Sequence, residues 1–169
     1  MPTLTIADYL KYANLQMAAE AFIRDEQTLV LASTPEAVIS ALIEGNKRSL
    51  KFTRPQAEAF VDAAKGWTVL DQRANTNTGF SGTLFRNNAT GELVLSFRST
   101  EFIDDHARDN KATNDLEIDG TGFALGQVAD MEEWYATLSA SGGPLAGKTY
   151  SVTGYSLGGH LATVFNQLR

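Results

Sequence analysis

No cysteine occurs in the chain, which excludes a disulfide framework, a thiolate metal site and a cysteine nucleophile. Basic residues are few beside acidic ones: 14 Lys and Arg stand against 20 Asp and Glu, a net charge of −6. That balance argues against nucleic acid as a partner and offers no basic patch to an anionic membrane. Histidine, the commonest general base, occurs twice, at His106 and His160. No apolar run approaches membrane-spanning length, so no transmembrane segment is expected. Asp8, Lys11 and Glu20 interrupt the stretch where a Sec-type leader would carry its apolar core. Localisation stays open between the cytoplasm and secretion by another route. What is present suffices for one domain: 169 residues, of which 43% are hydrophobic and 20% charged.

The hydrophobic period changes along the chain, with no repeat or linker to divide it. Residues 1–66 read as a helical segment. Ile6, Leu10, Ala13, Met17 and Ala21 form a helical stripe after a Thr5 cap, expected to face the core. A second helix is expected over 37–44, with Thr34 as cap, Pro35 just inside and Gly45 as stop. Thr53 and Gln56 make a capping box for a third, running through Phe60, Val61 and Ala64 to Gly66. Residues 67–169 read as a sheet core, with short strands at 67–70, 80–85 and 93–97. The last two are joined by a turn-rich connection at 87–91. Asn88-Ala89-Thr90 there is also a glycosylation sequon, though the turn explains it. Leu93 to Phe97 is almost continuously apolar, as a strand covered on both faces should be. A helix over 123–139 then leads to a strand at 149–153, which implies a right-handed crossover and parallel neighbours.

The most specific signal follows that strand. Gly154-Tyr155-Ser156-Leu157-Gly158 is a Gly-x-Ser-x-Gly pattern between a strand-like and a helix-like run. In that setting it signifies a nucleophile elbow, a turn so tight that Gly154 and Gly158 must lack side chains. Ser156 is held at the tip, and the Leu157 N–H faces a developing oxyanion. Parallel strands share a carboxyl edge, and ligand sites gather outside it. The turn Arg98-Ser99-Thr100 should emerge beside the elbow, so Thr100 is the candidate second oxyanion donor, through its N–H and its hydroxyl.

These residues resemble a family. Phe97-Arg98-Ser99-Thr100 is similar to the Phe-Arg-Gly-Thr stretch of class 3 lipases, and residues 154–162 to their Gly-His-Ser-Leu-Gly-Gly-x-Leu-Ala elbow. Asp109 resembles the aspartate of their Asp-Trp-x-x-Asp stretch, and Gly122-Phe123 their Gly-Phe before the long helix. The match spans 93–165 in the right order. Ser99 stands where the family has glycine, and Tyr155 where it commonly has histidine. The resemblance implies an α/β fold, the N-terminal portion of an α/β-hydrolase with a mostly parallel sheet flanked by helices. It also implies a serine ester hydrolase acting on lipid or small esters through an acyl-enzyme on Ser156; no cofactor and no metal are expected.

In α/β-hydrolases the triad runs Ser, then Asp or Glu, then His. Both partners should follow Ser156, so base and acid are expected from a downstream C-terminal polypeptide beyond residue 169 that completes the fold. His160 lies one helical turn after Ser156 and is read as a locally packed helix residue. His106 lies in an acidic loop over 101–115, a region that in the resembling family contributes to the lid or the site wall. The acidic residues Glu101, Asp104, Asp105, Asp109, Asp115, Glu117 and Asp119 read as a solvated loop without EF-hand spacing. A peptidase or thioesterase could use the same elbow. The alternative of another class is a catalytically incomplete fragment or a non-catalytic binding remnant.

Overall fold

The computed structural model describes residues 5–46, 51–99, 120 and 124–169. Three helices come first: α1 (Ile6–Ala19), α2 (Pro35–Glu44) and α3 (Arg54–Phe60). Strands β1 (Trp67–Arg73), β2 (Gly82–Asn87) and β3 (Leu93–Phe97) follow, then α4 (Leu125–Ser139), β4 (Ser151–Gly154) and α5 (Leu157–Gln167). The helix starts are set by their caps. Thr5 and Asp8 form a reciprocal capping box, Thr34 Oγ1 accepts from the Ala37 N–H, and Thr53 pairs with Gln56. Each satisfies N–H groups that the first turn leaves without a helical partner. Helix α3 stops earlier than the sequence suggests, because Asp62 Oδ1 accepts from Ala64 and Lys65 N–H and turns the chain.

The strands lie in the order β1-β2-β3-β4. The expected mostly parallel sheet is corrected: β1–β2 and β2–β3 are antiparallel, and only β3–β4 is parallel. Connection length decides this. Residues 74–81 and 88–92 are too short for a crossover, whereas α4 lies between β3 and β4. The hairpin turn is held by Asn87 Oδ1, which accepts from the Ala89 and Thr90 N–H groups. Asn88 of the sequon is engaged as well, donating to the Asp62 carbonyl and accepting from Thr68 Oγ1.

Every residue of β3 is buried, as its apolar run requires. Side chains alternate across the sheet. Val94 joins Phe85 in a core under α1, α2 and α3, while Leu93, Leu95 and Phe97 join Leu84 in a core under α4 and α5. The sheet is thus the middle layer of a three-layer α/β arrangement, within which one crossover lies. Among the described residues, no helix is long and apolar enough to cross a membrane.

Only part of the expected apolar stripe faces the core: Met17 packs against it and Ala21, just past α1, is buried, but the first turns of the helix differ. Ile6 and Leu10 are 87% and 62% exposed and Ala13 is exposed, whereas Leu15, Ala18 and Ala19 are fully buried. The alanines let the helix approach closely, and polar bonds fix its rotation. Tyr12 and Lys11 reach Glu92, Tyr12 reaches Ser151, and Gln16 reaches Ser96. Hydrophobic periodicity alone does not register such bonds.

This orientation has a direct test. Leu15→Ala should cost about 2–5 kcal/mol, and Leu10→Ala should stay within about 0.5 kcal/mol, by denaturant unfolding. The reverse ranking would place the stripe of Ile6 and Leu10 against the sheet.

Candidate active site

The end of β4 passes into α5 within two residues, and the backbone there is unusual. Ser156 has φ 54° and ψ −122°, a conformation that non-glycine residues adopt at a cost of about 1–3 kcal/mol. Among the described non-glycine residues, only Leu29 shares its positive φ. Leu29 sits in a turn closed by its N–H on the Asp25 carbonyl. Ser156 is exposed, as is Tyr155 beside it.

The two elbow glycines are sterically obligatory. A Cβ on Gly154 would lie well under 3.0 Å from the Gly158 carbonyl, and one on Gly158 equally close to the Phe97 carbonyl. The first turn of α5 therefore packs backbone to backbone on the ends of both β4 and β3. Gly159 is different: a Cβ there would meet the Gly154 oxygen at 3.3 Å. The turn is closed by Gly158 N–H on the Tyr155 carbonyl and by Gly159 and His160 N–H on the Ser156 carbonyl. Among the described residues the Leu157 N–H has no acceptor. It stands at the helix N-terminus, where the macrodipole favours negative charge.

The strand register brings the second half of the expected site alongside. Phe97 pairs with Gly154 across the parallel ladder, so the chain leaving β3 and the chain leaving β4 emerge at one edge. Arg98 and Ser99 start that exit. Arg98 is buried, its N–H on the Ser81 carbonyl, its guanidinium bonded to Asn75 and stacked 5.1 Å from the Phe22 ring. Ser99 donates from both its N–H and its hydroxyl to Glu20. Thr100 lies outside the described residues, as do His106, Asp109, Gly122 and Phe123 and the whole acidic loop. Gln16 and Glu20, which bear on this exit, were not singled out from the sequence. The readable signal was two polar residues four apart in a stretch otherwise small and apolar.

Among the described residues no side chain hydrogen-bonds to the Ser156 hydroxyl. The ring Nε2 of His160 is buried, whereas Ser156 is exposed at the tip. This placement suits a packed helix residue more than a base serving that hydroxyl. No group of three His, Asp or Glu residues that could hold a metal ion occurs among the described residues. A groove of about 610 Å³ opens at the far end of the same edge, beyond β1, and Ser156 does not line it. Three of its charged groups are internally bonded: Asp71 and Arg24 to each other, Asp71 also to the Trp134 indole, and Asp130 to Thr78.

Behind the elbow, Tyr150 donates to the Tyr135 hydroxyl at 3.0 Å, tying the approach to β4 to α4. Burial, with this bond, pushes the Tyr150 phenol up to about 12, and the same bond lowers that of Tyr135. Arg169 stacks on Tyr135 and Phe165 and pairs with Glu132, closing the α4–α5 contact. Comparison with protein-family models, with curated proteins and with solved structures finds no match to the chain.

The glycine geometry gives a paired prediction. Gly158→Ala should destabilise the protein by several kcal/mol or prevent folding, since backbone must move to admit the methyl group. Gly159→Ala should be nearly neutral, its tight contact offset by about 1 kcal/mol of helix propensity. Thermal melts of the two variants check this; equal behaviour would contradict the packing of α5 on β3.

Proposed function

We propose that the protein is a serine hydrolase of carboxylic esters, lipid or small, with Ser156 as nucleophile. The observation that carries this reading is the backbone of Ser156. An exposed serine held at φ 54° between glycines that admit no side chain is backbone strain at a residue that presents a hydroxyl, and strain of this kind gathers at working sites. The resemblance of residues 93–165 to class 3 lipases supports the ester class and the α/β-hydrolase form of the fold.

In this reaction Ser156 Oγ attacks the ester carbonyl and its proton passes to a base. The tetrahedral oxyanion is stabilised by the Leu157 N–H and by Thr100, the residue after Ser99. Collapse expels the alcohol and leaves an acyl-enzyme, which water hydrolyses to free acid and serine. The base and its orienting acid have to come from residues outside those described. A protein lacking them would keep the elbow as structure only, and the same experiment separates the two.

In the full-length protein, Ser156→Ala should lower hydrolysis of short-chain aryl esters about a thousandfold or more, with the fold retained by circular dichroism. Unchanged hydrolysis would move the nucleophile elsewhere, and absence of hydrolysis in the unaltered protein would favour the non-catalytic form. Thr100→Val should lower turnover on the order of a hundredfold if its hydroxyl donates to the oxyanion. A raised KM at constant turnover would place Thr100 in the acyl pocket.

A further inference from the structure

Glu20 is 2% exposed, just past the C-terminus of α1, and among the described residues it forms no ion pair. A buried carboxylate is tolerated only where hydrogen bonds replace its water. Here three donors do so. Gln16 Nε2 donates to Oε1 at 2.8 Å, the Ser99 N–H to Oε1 at 2.9 Å, and the Ser99 hydroxyl to Oε2 at 2.9 Å. Two of the three come from one residue, the second after the end of β3.

The network continues to the strand. Ser96 Oγ donates to Gln16 Oε1 at 2.9 Å, so Gln16 is oriented by β3 and in turn orients Glu20. A chain of bonds thus runs from β3 into α1 and back to the turn that leaves β3. From the opposite side of the sheet, Gly158 presses on the Phe97 and Arg98 carbonyls. Residues 97–99 are gripped between α1 and the elbow.

We propose that Glu20 is a positioning residue, whose carboxylate holds Ser99 by two bonds and so fixes the turn leaving β3 at a set distance from Ser156 and the Leu157 N–H. This rests on the ester-hydrolase reading, in which that turn presents the second oxyanion donor. It also gives a reason for serine where class 3 lipases have glycine. The Ser99 hydroxyl supplies the second bond to the carboxylate, which glycine lacks. Oxyanion donors act through their placement, and a displacement near 1 Å costs on the order of a hundredfold in rate.

The test uses Glu20→Leu, Ser99→Gly, their combination and Ser99→Thr in the full-length protein. Turnover and KM for a short aryl ester are measured, together with amide hydrogen exchange of residues 96–99. Leucine keeps the volume of the buried side chain and accepts from neither Ser99 donor. Glu20→Leu should therefore lower turnover about tenfold to a hundredfold with KM within about twofold, and speed Ser99 amide exchange at least about tenfold. The double variant should fall little further than Glu20→Leu alone, since the two residues act through one contact. Ser99→Thr, which keeps the hydroxyl, should retain turnover within about twofold.

Unchanged exchange at Ser99 in Glu20→Leu would overturn the clamp. Faster exchange with unchanged turnover would leave Glu20 a structural residue and overturn its positioning role. So would single losses that simply add in the double variant. If Glu20→Leu does not fold, Ser99→Gly carries the test, since it removes one bond and leaves the carboxylate two donors. Unchanged exchange and turnover there would equally overturn the proposal. If the unaltered protein shows no Ser156-dependent turnover, the hydrolase reading and with it the positioning role fail, while exchange at Ser99 still decides whether the clamp exists.

Discussion

The arrangement depends on one close approach: the first turn of α5 lies against the ends of β3 and β4 with no Cβ between them. Gly154 and Gly158 make it sterically possible. With the two elements so close, the chain turns from β4 into α5 within two residues, and Ser156 makes that turn at a positive φ. The exposed serine is thus a consequence of packing, and its strain is sustained by the two cores that fix the helix and the strands. Phe165 and Leu161 of α5 lie in the same core as Phe97 and Leu95 of β3. Aromatic packing of Phe97 on Phe165, with centroids 5.5 Å apart, fastens the helix to the strand just below the turn.

The other side of the sheet is held differently. There α1 meets β3 through small residues and a buried polar network of Gln16, Glu20, Ser96 and Ser99. Apolar contacts are tolerant of sliding, whereas a buried network is satisfied in one register only. An apolar core under α5 and a polar tie under α1 therefore have distinct consequences for the edge between them. The first gives cohesion; the second fixes orientation where the chain leaves β3.

Much of this was legible in the sequence for local reasons. Caps at Thr5, Thr34 and Thr53 act within four residues, and the elbow glycines within five, so short patterns report them faithfully. The strand over Leu93–Phe97 was legible because burial on both faces leaves an uninterrupted apolar run. The sheet's direction was less so: parallel pairing holds for β3 and β4, but the short connections before β3 impose antiparallel pairs. The stripe was misread over the first turns of α1, because Ile6 and Leu10 are apolar yet exposed, while Gln16 and, just past the helix, Glu20 are polar yet buried. Their partners, Ser96 and Ser99, are about eighty positions away, and no local period carries that information.

The central claim, that Ser156 is an activated nucleophile and not only a strained turn, is met most directly by covalent trapping. The folded full-length protein is treated with a fluorophosphonate and mapped by peptide mass spectrometry. One adduct on Ser156 is expected, absent from the unfolded protein and from Ser156→Ala. A folded protein that takes up no reagent, or takes it up at another residue with Ser156 unmodified, would contradict the assignment.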